Sequence, residues 1–189
     1  MARFDVLAHG YDLFRKPPTR QIIARANLKK HDRVLDVGGG TGVLAQKIRP
    51  LVKKVLILDP SAGMRAKAKA KDIAVVAGVA EQMPFSNASF DVVFCTDAFH
   101  HIRHQTRAIK EIHRVLKPHG LLVMEEFDPA TVRGRCVVLL EKLLAFGSTF
   151  WTPDALAGLL TRNHFSVIIP TRSWVYILCA RKLNKALRA

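Results

Sequence analysis

Three cysteines in 189 residues, at positions 95, 136 and 179, are too few and too scattered for a disulfide frame. No pair has C-x-x-C spacing, so no zinc knuckle and no metal ligand set is expected. Cys95, Cys136 and Cys179 read as small buried hydrophobes in a reducing compartment, and the expected location is cytoplasmic. Acidic residues are scarce: 15 Asp and Glu stand against 30 Lys and Arg, a net charge of +15. Long apolar runs are missing too. Stretches such as 120–124 and 136–140 fall far short of the roughly 20 residues that cross a bilayer. The opening residues Met1-Ala2-Arg3-Phe4-Asp5 lack the apolar segment of a signal peptide. Internal repeats, linkers and low-complexity blocks are absent as well. What remains is 49% apolar and 24% charged, a folded protein's balance that excludes global disorder. The length suits one domain over 1–189.

Strand and helix signals alternate along the chain. Residues 1–32 are mixed and basic, with Tyr11, a Pro17-Pro18 break and a short helical pattern around Ile22 and Ile23. Strands are expected at 33–37, 54–58, 73–77, 91–95, 121–124, 165–169 and 174–179. Helices are expected at 43–49, 61–71, 108–116, 132–146 and from Pro153, where Thr152 caps and proline takes the first position. Gly120 is expected to stop the helix that precedes it. Continuous apolar strands indicate a sheet covered on both faces. The reading is an α/β fold, a doubly wound, seven-stranded, mostly parallel sheet, whose ligands bind beyond the carboxyl ends of the strands.

The strand ends are therefore where chemistry is sought. The first reads Asp36-Val37-Gly38-Gly39-Gly40-Thr41-Gly42, an acid and a glycine-rich turn opening a helix. Glycines let a ligand approach backbone N–H groups without an intervening Cβ. Val43 occupies the third-glycine position of a dinucleotide fingerprint, and Asp36 disfavours a pyrophosphate and favours a cationic ligand group. The second end supplies Asp59, a carboxylate able to accept two ribose hydroxyls or, alternatively, to cap the next helix. The third gives Gly78-Val79-Ala80-Glu81 and the fourth Thr96-Asp97-Ala98-Phe99-His100-His101. Asp97, Glu125 and Glu126 also stand at strand ends, as solvated loop acids or as substrate contacts.

With these residues in place, the chain resembles the class I S-adenosylmethionine-dependent methyltransferases. It is most like the branch of ubiquinone and menaquinone biosynthesis methyltransferases. The resemblance is carried by Val34 to Gly42, Leu58-Asp59-Pro60-Ser61-Ala62-Gly63-Met64, Ala80 to Phe85, Ser89 to Val93, Phe99-His100-His101-Ile102 and Arg114 to Gly120. These stretches keep family order and spacing over 33–126, the cofactor-binding core. Residues 1–32, a lid segment, and 127–189, closing helices and strands, match loosely. The resemblance implies S-adenosylmethionine as cofactor, with Gly38, Gly39 and Gly40 around its methionine part. It further implies Asp36 toward its amino group, Asp59 and Pro60 at the ribose, and Met64 near the adenine. Gly78, Val79, Ala80, Glu81 and Thr96 complete the implied set. Val79 departs from the acid usual at that position, which moves adenine recognition to the Ala80 backbone and Glu81. His100 and His101 stand where an acceptor would lie, as a general base or as a pair that shapes the pocket. Tyr11 is expected to cover the site from the lid.

The charge opens rival readings. Basic residues spread through the chain suit an anionic membrane surface or nucleic acid. A small, apolar or lipid-like acceptor is expected, with peripheral membrane association. RNA or protein methylation and non-catalytic cofactor binding are the alternatives. Thr96-Asp97-Ala98-Phe99 lacks the Asn/Asp-Pro-Pro-aromatic signature of enzymes that methylate base amino groups, so nucleic acid is the weaker partner. The stretch 133–151 holds more apolar positions than one buried helical stripe needs, and so is expected to face the acceptor or a second copy of the chain.

Overall fold

The computed structural model describes residues 20–144 and 146–184. Tyr11 and most of the expected lid lie outside the described residues. The chain runs α1 (Arg20–Ala26), β1 (Arg33–Val37), α2 (Val43–Ile48), β2 (Lys54–Asp59), α3 (Ala62–Ala70), β3 (Ala74–Ala77) and β4 (Phe90–Thr96). It continues with α4 (Gln105–Val115), β5 (Leu116–Phe127), α5 (Val132–Leu143), α6 (Pro153–Arg162), β6 (Phe165–Thr171) and β7 (Val175–Lys182). Short 3-10 turns lie at Arg49–Leu51 and Phe99–His101.

The strands form one seven-stranded sheet in the order β3-β2-β1-β4-β5-β7-β6. The first five strands pair in parallel, and β7 runs antiparallel to both β5 and β6. Chain direction reverses its march across the sheet between β1 and β4, which opens a crevice at their carboxyl ends. Alternation of side chains divides each central strand between two cores. Leu35, Val37, Val93, Cys95, Leu122 and Met124 pack with α4 and α6 on one face. Val34, Ile57, Val92, Phe94 and Val123 pack with α1, α2 and α3 on the other.

Three local expectations change. The helix α4 ends at Val115, and Leu116 is already strand. Leu116 pairs with Phe90 and Leu121 with Val92, so Lys117 to Gly120 form a bulge inside β5. His119, not Gly120, takes the left-handed backbone there. The strand also runs on through Glu125 and Glu126, which are therefore not loop acids; Glu126 is buried. Finally, α5 stops at Leu143 and Cys136 on it is exposed, whereas Cys95 and Cys179 are buried. Among the described residues no helix is long and apolar enough to cross a membrane.

Candidate active site

Strands β1 to β4 each deliver a turn to the crevice, and the turns border a cavity of about 350 Å³. Gly38, Gly40, Asp59, Pro60, Met64, Gly78, Val79, Ala80 and Glu81 line it, as do Asp97, His101, Ile102, Arg103 and Phe146. Of the residues singled out in the sequence, Asp36, Gly39, Thr96, His100, Glu125 and Glu126 are not on the wall. Asp36 is buried under the glycine turn, and a Cβ added at Gly39 would come within 2.6 Å of its Oδ2. The carboxylate thus shapes the turn from beneath. Thr96 is buried at the end of β4.

The glycines serve different ends. A Cβ at Gly38 would lie 2.6 Å from that of Ala98, so Gly38 permits close packing of two turns. Gly40 has φ +54°, and a Cβ there would meet nothing nearer than Met64 Sδ at 3.8 Å. That Cβ would project into the cavity. The bare backbone at Gly40 is a cradle that fits a ligand and needs no other packing explanation. Gly42, with φ +82°, lets α2 close on Ile57 and Ala68.

Asp59 ties this cradle to the next turn. Its Oδ2 accepts from Gly40 N–H at 3.0 Å and its Oδ1 from Ser61 N–H at 2.8 Å. Ser61, not Asp59, caps α3, accepting from Met64 N–H at 3.2 Å. Asp59 also lines the cavity beside Gly40 and Pro60. Glu81 Oε1 accepts from His104 N–H at 3.1 Å, which fixes the turn after β3 against the start of α4.

His100 is 1% exposed and stacks on Phe150 with ring centroids 4.6 Å apart. Its Nδ1 lies 2.5 Å from Glu126 Oε2, while Nε2 faces Glu141 at 3.3 Å and Asp97 at 3.9 Å. Burial alone would lower its pKa. The charge and hydrogen bond of Glu126 outweigh that, helped by Glu141 and Asp97, and raise it to about 10. At neutral pH such a ring holds its proton, and it sits behind the wall. A general-base role for His100 therefore does not fit. For Glu141, burial raises the pKa, but the nearby charge of His100, with Ser148 and His101 beside it, outweighs burial, and the carboxyl sits below its ordinary range. His101 does reach the cavity, with Nδ1 2.9 Å from Ser148 Oγ.

In the sequence Ile102 figures only as part of the Phe99-His100-His101-Ile102 stretch, with no site role, and Arg103, which directly follows it, was missed. Phe146 belongs to the apolar stretch 133–151 expected to face the acceptor or a second copy, and it lines the cavity; Glu141, in the same stretch, carries no local signal. The segment holding Phe146 is tied down by Thr149 N–H to His100 O and by Gln105, which donates to Thr149 O and accepts from Trp151 Nε1–H.

Residues 35–124 match the methyltransferase domain family. The demethylmenaquinone methyltransferase of Corynebacterium glutamicum is 34% identical over 127 residues, 67% of this chain and 54% of that one. The ubiquinone/menaquinone biosynthesis C-methyltransferase of Coxiella burnetii is 33% identical over 148 residues, 68% and 59% of the two chains. The chain thus spans a little over half the length of these curated relatives. Among solved structures, the YcgJ protein of Bacillus subtilis superposes with a TM-score of 0.78 at 18% identity, covering 87% of this chain and 97% of that one. A SAM-dependent methyltransferase of Thermotoga maritima gives 0.78 at 20% identity, covering 96% and 100%. These likenesses show the fold.

Proposed function

The chain belongs to the class I S-adenosylmethionine-dependent methyltransferases, and from that membership we propose that it binds this cofactor in the cavity at the ends of β1 to β4 and methylates a small, apolar, quinone-like acceptor. The observation that carries the proposal is the open Gly40 cradle, held by Asp59 and flanked by Met64. When bound, the cofactor supplies a methyl group already activated on a sulfonium. The protein's task is then alignment and exclusion of water.

Asp59, on the wall beside Pro60, suits a ribose diol. Met64, Val79 and Ala80 offer an apolar slot for a flat base, with Val79 in place of an acid. Ile102, Arg103 and Phe146 bound the side left for the acceptor, where Arg103 brings a positive charge and His101 and Asp97 stand beside it. The names of the quinone methyltransferase relatives support an apolar ring acceptor. Exposed apolar residues of α5 and the net charge of +15 support delivery at an anionic membrane surface.

Calorimetry with the cofactor tests the first half, and binding near one equivalent is expected. Labelled methyl transfer to extracts separated into small-molecule, protein and RNA pools tests the second. Label in the apolar small-molecule pool is expected; label confined to RNA or protein would replace the acceptor class. Absence of cofactor binding would overturn the proposal.

A further inference from the structure

Behind the cavity, side chains from two distant parts of the chain converge. His100 and His101 come from the turn after β4, and Glu141 comes from α5. One ligand atom of each lies within 4.8 Å of the others. His100 Nε2 is 3.3 Å from Glu141 Oε1, and His101 Nδ1 is 3.8 Å from Glu141 Oε2. Asp97 Oδ1 approaches His100 Nε2 to 3.9 Å. Imidazole and carboxylate bonds to zinc of about 2.0–2.2 Å set tetrahedral ligand atoms about 3.3–3.6 Å apart. The cluster is already close to that spacing.

Two further observations point to a bound cation. His100 Nε2 and Glu141 Oε2 are buried polar atoms without a hydrogen-bond partner. Native interiors rarely leave such atoms so. Glu126 meanwhile occupies His100 Nδ1 at 2.5 Å. A carboxylate on one ring nitrogen fixes the tautomer that turns the other toward a metal. Glu126 is itself held by Ala98 and Phe99 N–H groups at 3.3 and 2.9 Å. In a chain with only 15 acidic residues, Asp97, Glu126 and Glu141 gather around one imidazole.

We propose that His100, His101 and Glu141 bind a divalent transition-metal ion of the zinc type beside the cavity. Two imidazoles with a carboxylate suit zinc, iron or nickel rather than calcium. His101 exchanges its Ser148 contact for the ion. Because His101 also lines the cavity, a bound ion faces it and presents an open position to an oxygen of the acceptor. That last step rests on the methyltransferase reading; the binding of the ion does not.

The test uses the full chain, stripped with a chelator and then dialysed against zinc. One equivalent is expected to remain after gel filtration. Glu141→Gln and His101→Ala are expected to lose it, with folding verified by circular dichroism. His100→Asn is the more direct variant, but the burial of His100 makes its folding doubtful, and the other two suffice. Cobalt substitution is expected to give a visible absorption band in the parent protein and none in the variants. A parent protein that retains no zinc, or an equivalent that persists in both variants, would overturn the site. Calorimetry with the cofactor on the parent protein is a separate readout, so its failure would strike the methyltransferase reading and leave the zinc result standing.

Discussion

Asp59 holds two backbone N–H groups and faces the cavity, so its loss acts twice. Asp59→Ala is expected to weaken cofactor binding by about 1–3 kcal/mol, read by calorimetry, because a charged acceptor is removed. The same variant should melt earlier, since Gly40 and Ser61 N–H groups lose their partner. Gly40→Val separates the two effects. Its left-handed φ costs a side chain about 1–2 kcal/mol, yet the added Cβ meets no protein atom nearer than Met64 Sδ at 3.8 Å. The variant is expected to fold and to bind cofactor at least tenfold more weakly; unchanged affinity would show that the turn is merely structural. At this scale the sequence was legible where residues act from strand ends in order, as Asp59, Gly40 and Ala80 do. It placed Glu126 at a strand end as a loop acid or substrate contact, but not against His100, which lies 26 positions away, because the burial of Glu126 depends on two strands pairing. Glu141 was invisible for the same reason.

Helix α4 shows what an element contributes. Ala108, Ile109, Ile112 and Val115 form one fully buried stripe, and the 3.6-residue period announced it. Ile112→Ala is expected to cost about 2–5 kcal/mol in denaturant unfolding. On the rim of the same helix, Arg114 binds Glu111 and the carbonyls of Met83 and Phe85, clamping the turn between β3 and β4. The hydrogen bond from Arg114 is the chief reason the Glu111 carboxyl is held below its ordinary value of 4.5. A depressed carboxylate stabilises above the unfolded value, and the contribution disappears as pH falls through the folded one. Denaturant midpoints should therefore decline below about pH 4.5, and less steeply in Glu111→Gln. Where element boundaries were misread, local chemistry was right but the partner decided. Lys117-Pro118-His119-Gly120 has turn composition and does turn. It turns within β5, because Phe90 and Val92 on β4 hold strand residues on either side of it.

For the whole molecule, charge and apolar exposure act together. Val132, Leu139, Leu140, Leu143 and Leu144 are 50–77% exposed along α5, and Arg133, Arg135 and Lys142 are interspersed with them. Flotation with vesicles rich in anionic lipid is expected to carry the protein at low salt and to release it as salt rises. Equal binding to neutral vesicles, or none at low salt, would leave the charge without this role. The alternating strand and helix pattern made the parallel half of the sheet readable. The insertion of β7 between β5 and β6 was not readable, because apolar alternation records burial and not the neighbour. That order has a temporal consequence. During synthesis β6 leaves the ribosome before the strand it pairs with, and β5 stays an open edge until the last strand arrives. A ribosome stalled between β6 and β7 would display a finished cofactor crevice on a sheet whose hydrogen-bonding edge is still available to other chains.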